Sequence, residues 1–229
     1  MFYPLYHQNN DMKTNETKSE AMSKRVFNLI VVDESGSMSI IREQALIGLN
    51  ETLDTIIKLQ EQHPELEQRV TLLTFDSGHR NLIFDNESAQ SVRPLKRNEY
   101  NPGGGTPLYD AIGLGIAKVN AITSTDDRVL VTIITDGWEN CSTEYNLYMI
   151  KNLIEKLKKQ QWTFTFIGTD NLDVEGMAAD MGIKNSLRFK QTPTDTLAMF
   201  ACERKARSRH LERVLKEEDI PEDDFFSGV

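Results

Sequence analysis

An almost unbroken apolar stretch, residues 26–32, is followed at once by the turn Asp33-Glu34-Ser35-Gly36-Ser37-Met38. The stretch is rich in β-branched and aliphatic side chains, which predicts a strand buried on both faces near the centre of a parallel sheet. Helical spacing of apolar residues begins at Ile41. Open α/β sheets place their sites at the carboxyl ends of such strands, just before a helix. The carboxylate and two hydroxyls of this turn therefore make it a candidate site for a hard divalent cation.

The rest of the chain alternates between short apolar runs and longer segments with helical periodicity. Strands are predicted at 26–32, 70–75, 82–84, 128–134, 163–167 and 187–189, and helices at 39–62, 107–119, 145–158, 174–181 and from 194. Strands that alternate with helices predict a doubly wound α/β fold, a mostly parallel six-stranded sheet with helices on both faces. The turn at Ser77-Gly78 predicts a hairpin, and hence one short antiparallel strand at the edge.

Composition limits the classes of function that the chain can serve. Its 229 residues carry a formal net charge of −9, which argues against general binding of nucleic acid through Lys and Arg. No apolar run reaches the length of a membrane span, so no membrane contact is expected. Cys141 and Cys202 are expected to be free thiols, which fits a reducing compartment.

Three segments are predicted along the chain. Residues 1–24 are polar and without periodicity, so they are expected to be disordered, and they lack the regions of a secretory signal. The folded domain is expected to span residues 25–203. Residues 204–229 combine a basic helix end with an acidic tail that is expected to be solvated. The expected location is the cytoplasm.

Two later loops add oxygen donors. Gly103-Gly104-Gly105-Thr106-Pro107 has a flexible glycine run, and Thr106 is predicted to cap the next helix. Thr135-Asp136-Gly137-Trp138 directly follows the strand predicted at 128–134. A doubly wound sheet would bring these loops to the first turn, and hard cations such as Mg²⁺ prefer such donors. The candidate ligands are Asp33, Ser35, Ser37, Thr106 and Asp136.

These loops resemble the von Willebrand factor type A (vWA, integrin I-like) domain family, which has a Rossmann-like fold. The metal-ion-dependent adhesion site (MIDAS) of that family combines Asp-x-Ser-x-Ser with a threonine and an aspartate, in the order found here. The strings Asp-Glu-Ser-Gly-Ser-Met, Gly-Gly-Gly-Thr-Pro-Leu and Thr-Asp-Gly look like those of intracellular bacterial members. The resemblance implies that Ser35, Ser37 and Thr106 bind Mg²⁺ or Mn²⁺ directly. It implies that Asp33 and Asp136 bind directly or through water.

The leading hypothesis is a non-enzymatic protein-binding module. Three neutral hydroxyls do not neutralise a divalent ion, so an open position favours a carboxylate from another protein. The resemblance implies the same use, capture of a partner's Asp or Glu through the metal. The partner-binding rim is predicted to include Gly104, Gly105 and Trp138. Trp138 could equally pack on a neighbouring helix, and Glu34 and Glu139 are expected to be solvated.

Other interpretations remain open at this point. The serines could be turn and capping residues without a metal. A metal-dependent hydrolase or phosphotransfer enzyme is a second function, although the glycine run lacks the Gly-Lys-Ser/Thr of a phosphate-binding loop. A secreted adhesin is a third. An acidic residue of the tail could also supply the missing ligand, within the chain or to a neighbour in self-association.

Overall fold

The computed structural model describes residues 24–228, and its six strands form one sheet. The strands are β1 Lys24–Asp33, β2 Leu66–Phe75, β3 Arg80–Ser88, β4 Arg128–Thr135, β5 Trp162–Thr169 and β6 Asn185–Phe189. Their order is β3-β2-β1-β4-β5-β6, and only β2 and β3 pair antiparallel. The predicted doubly wound α/β fold with an antiparallel edge strand is confirmed. Apart from Lys24, the segment predicted to be disordered lies outside the described residues.

Five α-helices within residues 24–228 cover the two faces of the sheet. They are α1 Arg42–Gln62, α2 Leu108–Asn120, α3 Leu147–Lys158, α4 Val174–Asp180 and α5 Pro193–Leu215. Alternate residues of β1 point to opposite layers, so Ile30 and Val32 pack with α1 and α5, while Leu29 and Val31 pack with α2, α3 and α4. None of the helices within residues 24–228 is long and apolar enough to cross a membrane.

β2 begins at Leu66, four residues before the predicted start, despite the polar side chains in this part of the strand. The buried amides satisfy one another: Gln68 accepts a hydrogen bond from Asn28, and Gln60 accepts one from the backbone N–H of Gln68. Buried polar groups with partners cost little, so the strand continues where the apolar pattern stops.

The C-terminal tail is only partly solvated: its acidic side chains at 217–219, 222 and 223 are exposed, as expected, but its aromatic end packs against the domain. Phe225 is only 3% exposed, and its ring lies 5.6 Å from that of His210. The guanidinium of Arg209 donates to the carbonyls of Asp224 and Phe225 at 2.8 and 2.7 Å. An aromatic anchor and satisfied backbone carbonyls thus offset the repulsion among the acidic side chains.

The tail lies far from the carboxyl ends of the central strands. Asn185, at the start of β6, donates to the carbonyl of Glu222 at 2.9 Å and accepts from the N–H of Phe225 at 3.0 Å. The start of β6 pairs with Thr165, in the first half of β5. In this arrangement the tail does not supply a ligand to the candidate site of its own chain.

Candidate metal centre

The first and third candidate loops meet at one edge of the sheet. β1 and β4 are parallel neighbours, so Asp33 at the end of β1 and Asp136 just after β4 emerge side by side. The hydroxyl of Ser37 donates to Asp136 Oδ1 at 2.6 Å, and Ser35 Oγ lies 3.2 Å from Ser37 Oγ. The structure therefore brings these four predicted residues together.

Asp33 is the most firmly held of the candidate ligands. Its Oδ1 accepts the backbone N–H of Ser35 at 2.7 Å, and its Oδ2 accepts the hydroxyl of Thr135 at 2.6 Å. The phenol of Tyr100 donates to its carbonyl at 2.8 Å. The side chain is fully buried. Position and orientation of this carboxylate are thus set by two neighbouring strands and by the loop before α2.

Thr106 does not cap α2, so that prediction was wrong. The helix begins at Leu108 after Pro107, without a side-chain capping bond. Asn140 instead holds Thr106, accepting from its N–H at 2.9 Å and donating to its carbonyl at 3.2 Å. A Cβ atom at Gly137 would lie 2.8 Å from Thr106 Oγ1 and 3.5 Å from Asp33 Oδ2. The Thr106 hydroxyl therefore faces the same centre, and Gly137 leaves room for it.

The electrostatics of the centre favour a cation. Burial raises the pKa of Asp33 to about 6, against the opposing effect of the hydrogen bonds from Thr135 and Ser35. Burial also raises the pKa of Asp136, although Ser37 and Gln191 donate to it. Within residues 24–228 neither carboxylate is paired with a lysine or arginine. Two buried acidic groups thus share a site that lacks a compensating charge among the described side chains.

The donor set fits a hard divalent cation. Neighbouring ligands of an octahedral Mg²⁺ lie about 3 Å apart, close to the separation of the two serine hydroxyls. In the part of the chain that the structure describes, no group of three His, Cys, Asp or Glu side chains could hold a metal. The candidate centre therefore depends on hydroxyls as much as on carboxylates.

The predicted rim lies beside this centre. Trp138 is 54% exposed, which decides between the two interpretations of this residue in favour of an exposed side chain. The carbonyl of Gly104 accepts the N–H of Gly36 at 3.2 Å, and Gly104 adopts φ +66°, a conformation that favours glycine. The N–H of Gly105 donates to Ser77 Oγ at 2.8 Å. Both glycines thus connect the loop before α2 to its neighbours.

Sequence reasoning missed Gln191 and misjudged Glu34. The side-chain amide of Gln191 donates to Asp136 Oδ2 and to the carbonyl of Ser37, and only the sheet order places it there. Glu34 and Glu139 were expected to be solvated, which was wrong for Glu34, whereas Glu139 is half-buried. Glu34 is 1% exposed and accepts the N–H of Asn101, while Glu139 accepts the N–H groups of Tyr109 and Ser142. Both glutamates order the loops that carry the candidate ligands.

Residues 29–200 match the family model of the von Willebrand factor type A domain. The chain belongs to this family. vWA domains often mediate protein–protein interaction and are generally non-enzymatic interaction modules. No curated protein sequence matches this chain.

Solved structures with this vWA fold include proteins of bacterial pili. The PilB minor pilin from Streptococcus sanguinis has a TM-score of 0.57 and 14% identity over 84% of this chain and 63% of the pilin. The vWF domain of the type V pili tip protein Mfa5 from Porphyromonas gingivalis has a TM-score of 0.56 and 10% identity over 88% of this chain and 99% of the Mfa5 domain. A von Willebrand factor type A protein from Catenulispora acidiphila has a TM-score of 0.53 and 13% identity over 80% of this chain and 42% of that protein. This chain spans less than two thirds of PilB, and at such identities the likeness shows the fold alone.

Proposed function

We propose that this vWA domain is a protein-binding module that depends on a divalent cation, Mg²⁺ or Mn²⁺, and captures an Asp or Glu side chain of its partner. The observation that carries the proposal is the pair of buried carboxylates, Asp33 and Asp136, which lie beside the hydroxyls of Ser35, Ser37 and Thr106 without a basic partner among the described residues. Such a site lowers its free energy by taking up a cation.

Each residue has a distinct role in this proposal. Ser35, Ser37 and Thr106 supply neutral oxygens, while Asp33 and Asp136 supply negative charge directly or through water. When bound, the cation would offer a position that a carboxylate from outside can fill. Among residues 24–228, Asp33 and Asp136 are the two acidic groups bonded within the site, so a third negative group from a partner would still be favourable. The exposed ring of Trp138 offers an apolar contact beside that carboxylate.

A matched pair of serine variants tests the cation site. Ser37→Ala removes a hydroxyl that bonds Asp136, whereas Ser39→Ala removes an exposed hydroxyl two residues later. Calorimetric titration of the full chain with Mn²⁺ is expected to show one site in the wild type and in Ser39→Ala, and at least tenfold weaker binding in Ser37→Ala. Equal binding in both variants would contradict the proposal.

The partner is tested after the metal. Pull-down from cells with Mg²⁺ or with EDTA identifies metal-dependent partners, and Asp→Asn or Glu→Gln changes in those partners should abolish capture. Retention of binding after removal of every exposed carboxylate in the partner's contact surface would refute acidic recognition. Robust metal-dependent hydrolysis of phosphate or ester substrates, lost in Asp33→Ala, would favour an enzyme instead. Cell fractionation tests the proposed cytoplasmic location.

A further inference from the structure

Beside the candidate metal centre lies a second group of ionisable side chains, formed by Glu34, Asp76 and His79. Glu34 follows β1, whereas Asp76 and His79 lie in the turn between β2 and β3. The His79 Nδ1 atom is 2.8 Å from Asp76 Oδ1, and its Nε2 atom is 3.5 Å from Glu34 Oε2. The imidazole ring therefore stands between two carboxylates, with one nitrogen facing each.

Glu34 Oε2 is a buried carboxylate oxygen that accepts no hydrogen bond within the described residues 24–228. The other oxygen of Glu34 accepts the backbone N–H of Asn101. The whole residue is 1% exposed, so water does not solvate it freely. A buried carboxylate oxygen without a hydrogen bond is costly, and His79 Nε2, at 3.5 Å, is too far away to donate a good one.

The distance from His79 Nε2 to Glu34 Oε2 suits two ligands of one metal better than a hydrogen bond. N–H···O bonds normally span about 2.7–3.2 Å, so 3.5 Å is long for a direct bond. Two ligands at about 2.1 Å from a tetrahedral Zn²⁺ lie about 3.4 Å apart. Metal-binding histidines usually donate their second ring N–H to a carboxylate, a backbone carbonyl or a water, and Asp76 lies at that position here.

We propose that Glu34 Oε2 and His79 Nε2 are the two protein ligands of a second metal site, which takes Zn²⁺ or a similar transition-metal ion with water as the other ligands, and that Asp76 orients the imidazole. A mixed nitrogen and oxygen donor pair suits such ions better than Mg²⁺. The side chain of His79 is 39% exposed, so solvent can complete the coordination shell. Asp76 and His79 also line a groove of about 430 Å³, which gives the ion a path of entry.

An ion at this second site would stabilise the loops that carry the ligands of the candidate metal centre. The backbone carbonyl of Glu34 accepts the N–H of Gly103 at 2.8 Å, and its N–H donates to the carbonyl of Phe75 at 2.8 Å. A bond from Glu34 through an ion to His79 would join the first loop to the β2–β3 turn, next to the glycine run before Thr106. The inference does not depend on the proposed function, because it uses none of the five candidate ligands.

The test is a titration of the full chain with Zn²⁺, and with Co²⁺ as a spectroscopic probe, in saturating Mg²⁺. We expect one Zn²⁺ per chain and visible absorption typical of tetrahedral Co²⁺. Glu34→Gln and His79→Gln should each weaken Zn²⁺ binding at least tenfold, and Asp76→Asn about tenfold, as for other carboxylates behind a metal-bound histidine. Circular dichroism and urea unfolding verify that each variant is folded, and the exposed His79 position tolerates change best.

His63 and Glu65 provide a matched control pair. Their nitrogen and oxygen atoms are also 3.5 Å apart, but the Glu65 side chain is 63% exposed and therefore solvated. Changing both to glutamine should leave Zn²⁺ uptake unchanged. Ser37→Ala should also leave it unchanged, so failure at one site is distinguishable from failure at the other. Absence of bound Zn²⁺, or equal Zn²⁺ uptake by the wild type and His79→Gln, would overturn the proposal. The contact between His79 and Glu34 would then be an ordinary ion pair.

Discussion

Asp33→Asn should stabilise the metal-free domain while abolishing cation binding. Burial raises the pKa of Asp33 from its ordinary value of 3.8 to about 6. Each pH unit of such a shift corresponds to about 1.4 kcal/mol, so the ionised carboxylate costs about 3 kcal/mol at pH 7. Asparagine mimics the protonated carboxyl and avoids this cost. The expected gain in the free energy of unfolding is therefore about 3 kcal/mol.

The pH dependence of this gain has a definite sign. Between pH 4 and pH 6 the folded protein keeps the proton on Asp33 while the unfolded chain loses it, so the folded state binds more protons. The contribution of Asp33 to stability therefore falls as the pH rises through this window. Urea unfolding in EDTA should show variant and wild type about 3 kcal/mol apart at pH 7 and nearly equal at pH 4.

Asp110 supplies a control of opposite sign. Burial alone would raise the pKa of this carboxyl, but backbone N–H groups of Thr143, Tyr145 and Glu144 donate to it and lower its pKa overall. Asp110→Asn should therefore destabilise the domain at pH 7. A loss of stability in Asp33→Asn at pH 7 in EDTA, or a gap that is the same at pH 4, would refute the reasoning for Asp33.

Three further predictions concern single side chains. Thr106→Ala should abolish Mn²⁺ binding in calorimetry yet change the free energy of unfolding by less than about 1 kcal/mol, because the hydroxyl caps no helix. Trp138→Ala should leave stability within about 0.5 kcal/mol, because the ring is exposed, but weaken capture of a metal-dependent partner severalfold in pull-down titrations. Phe225→Ala should cost about 3–5 kcal/mol in urea unfolding, because the ring is buried in the packed tail.

Each of these has a neighbouring control. Thr123→Ala, in the loop after α2, should leave Mn²⁺ binding unchanged. Tyr148→Ala removes another exposed aromatic ring and should not affect the partner. Leu197→Ala removes a partly exposed apolar side chain and should cost less than Phe225→Ala. A Phe225→Ala variant as stable as the wild type would show that the tail contributes little to folding.

The fold was predictable because buried parallel strands have a simple pattern. Residues 26–32 and 129–134 are mostly apolar, interrupted only by Asn28 and Thr132, and both runs lie within strands at the centre of the sheet. The sequence also indicated which loops would meet, since Asp33 and Asp136 follow strands that became neighbours. These residues were predictable because their local sequence pattern agrees with the topology of the whole sheet.

The remaining parts depended on contacts between distant positions. Gln191 reaches Asp136 across 55 positions of sequence, and no local pattern marks such a glutamine. The buried state of Glu34 depends on the N–H of Asn101, which only the folded loop presents. The composition of the tail correctly suggested that its acidic side chains are exposed, but it did not indicate that Arg209 bonds the carbonyls of Asp224 and Phe225 or that Phe225 is buried. Amino-acid composition does not indicate which distant residues will form these hydrogen bonds and contacts.

The contacts of the C-terminal tail also determine which side of the domain can be attached to a surface without covering the candidate centre. Lys24, at the first residue of the ten-residue strand β1, bonds Glu217 of the tail, and Gly228 lies beside Arg209 in the second half of α5. At about 3.3 Å per residue, β1 separates that end of the domain from the candidate centre by roughly 30 Å. If the domain is attached to a sensor surface through residues after 228, its binding edge should therefore face the solution. Attachment through engineered cysteines near the exposed Ile40 should instead block that edge.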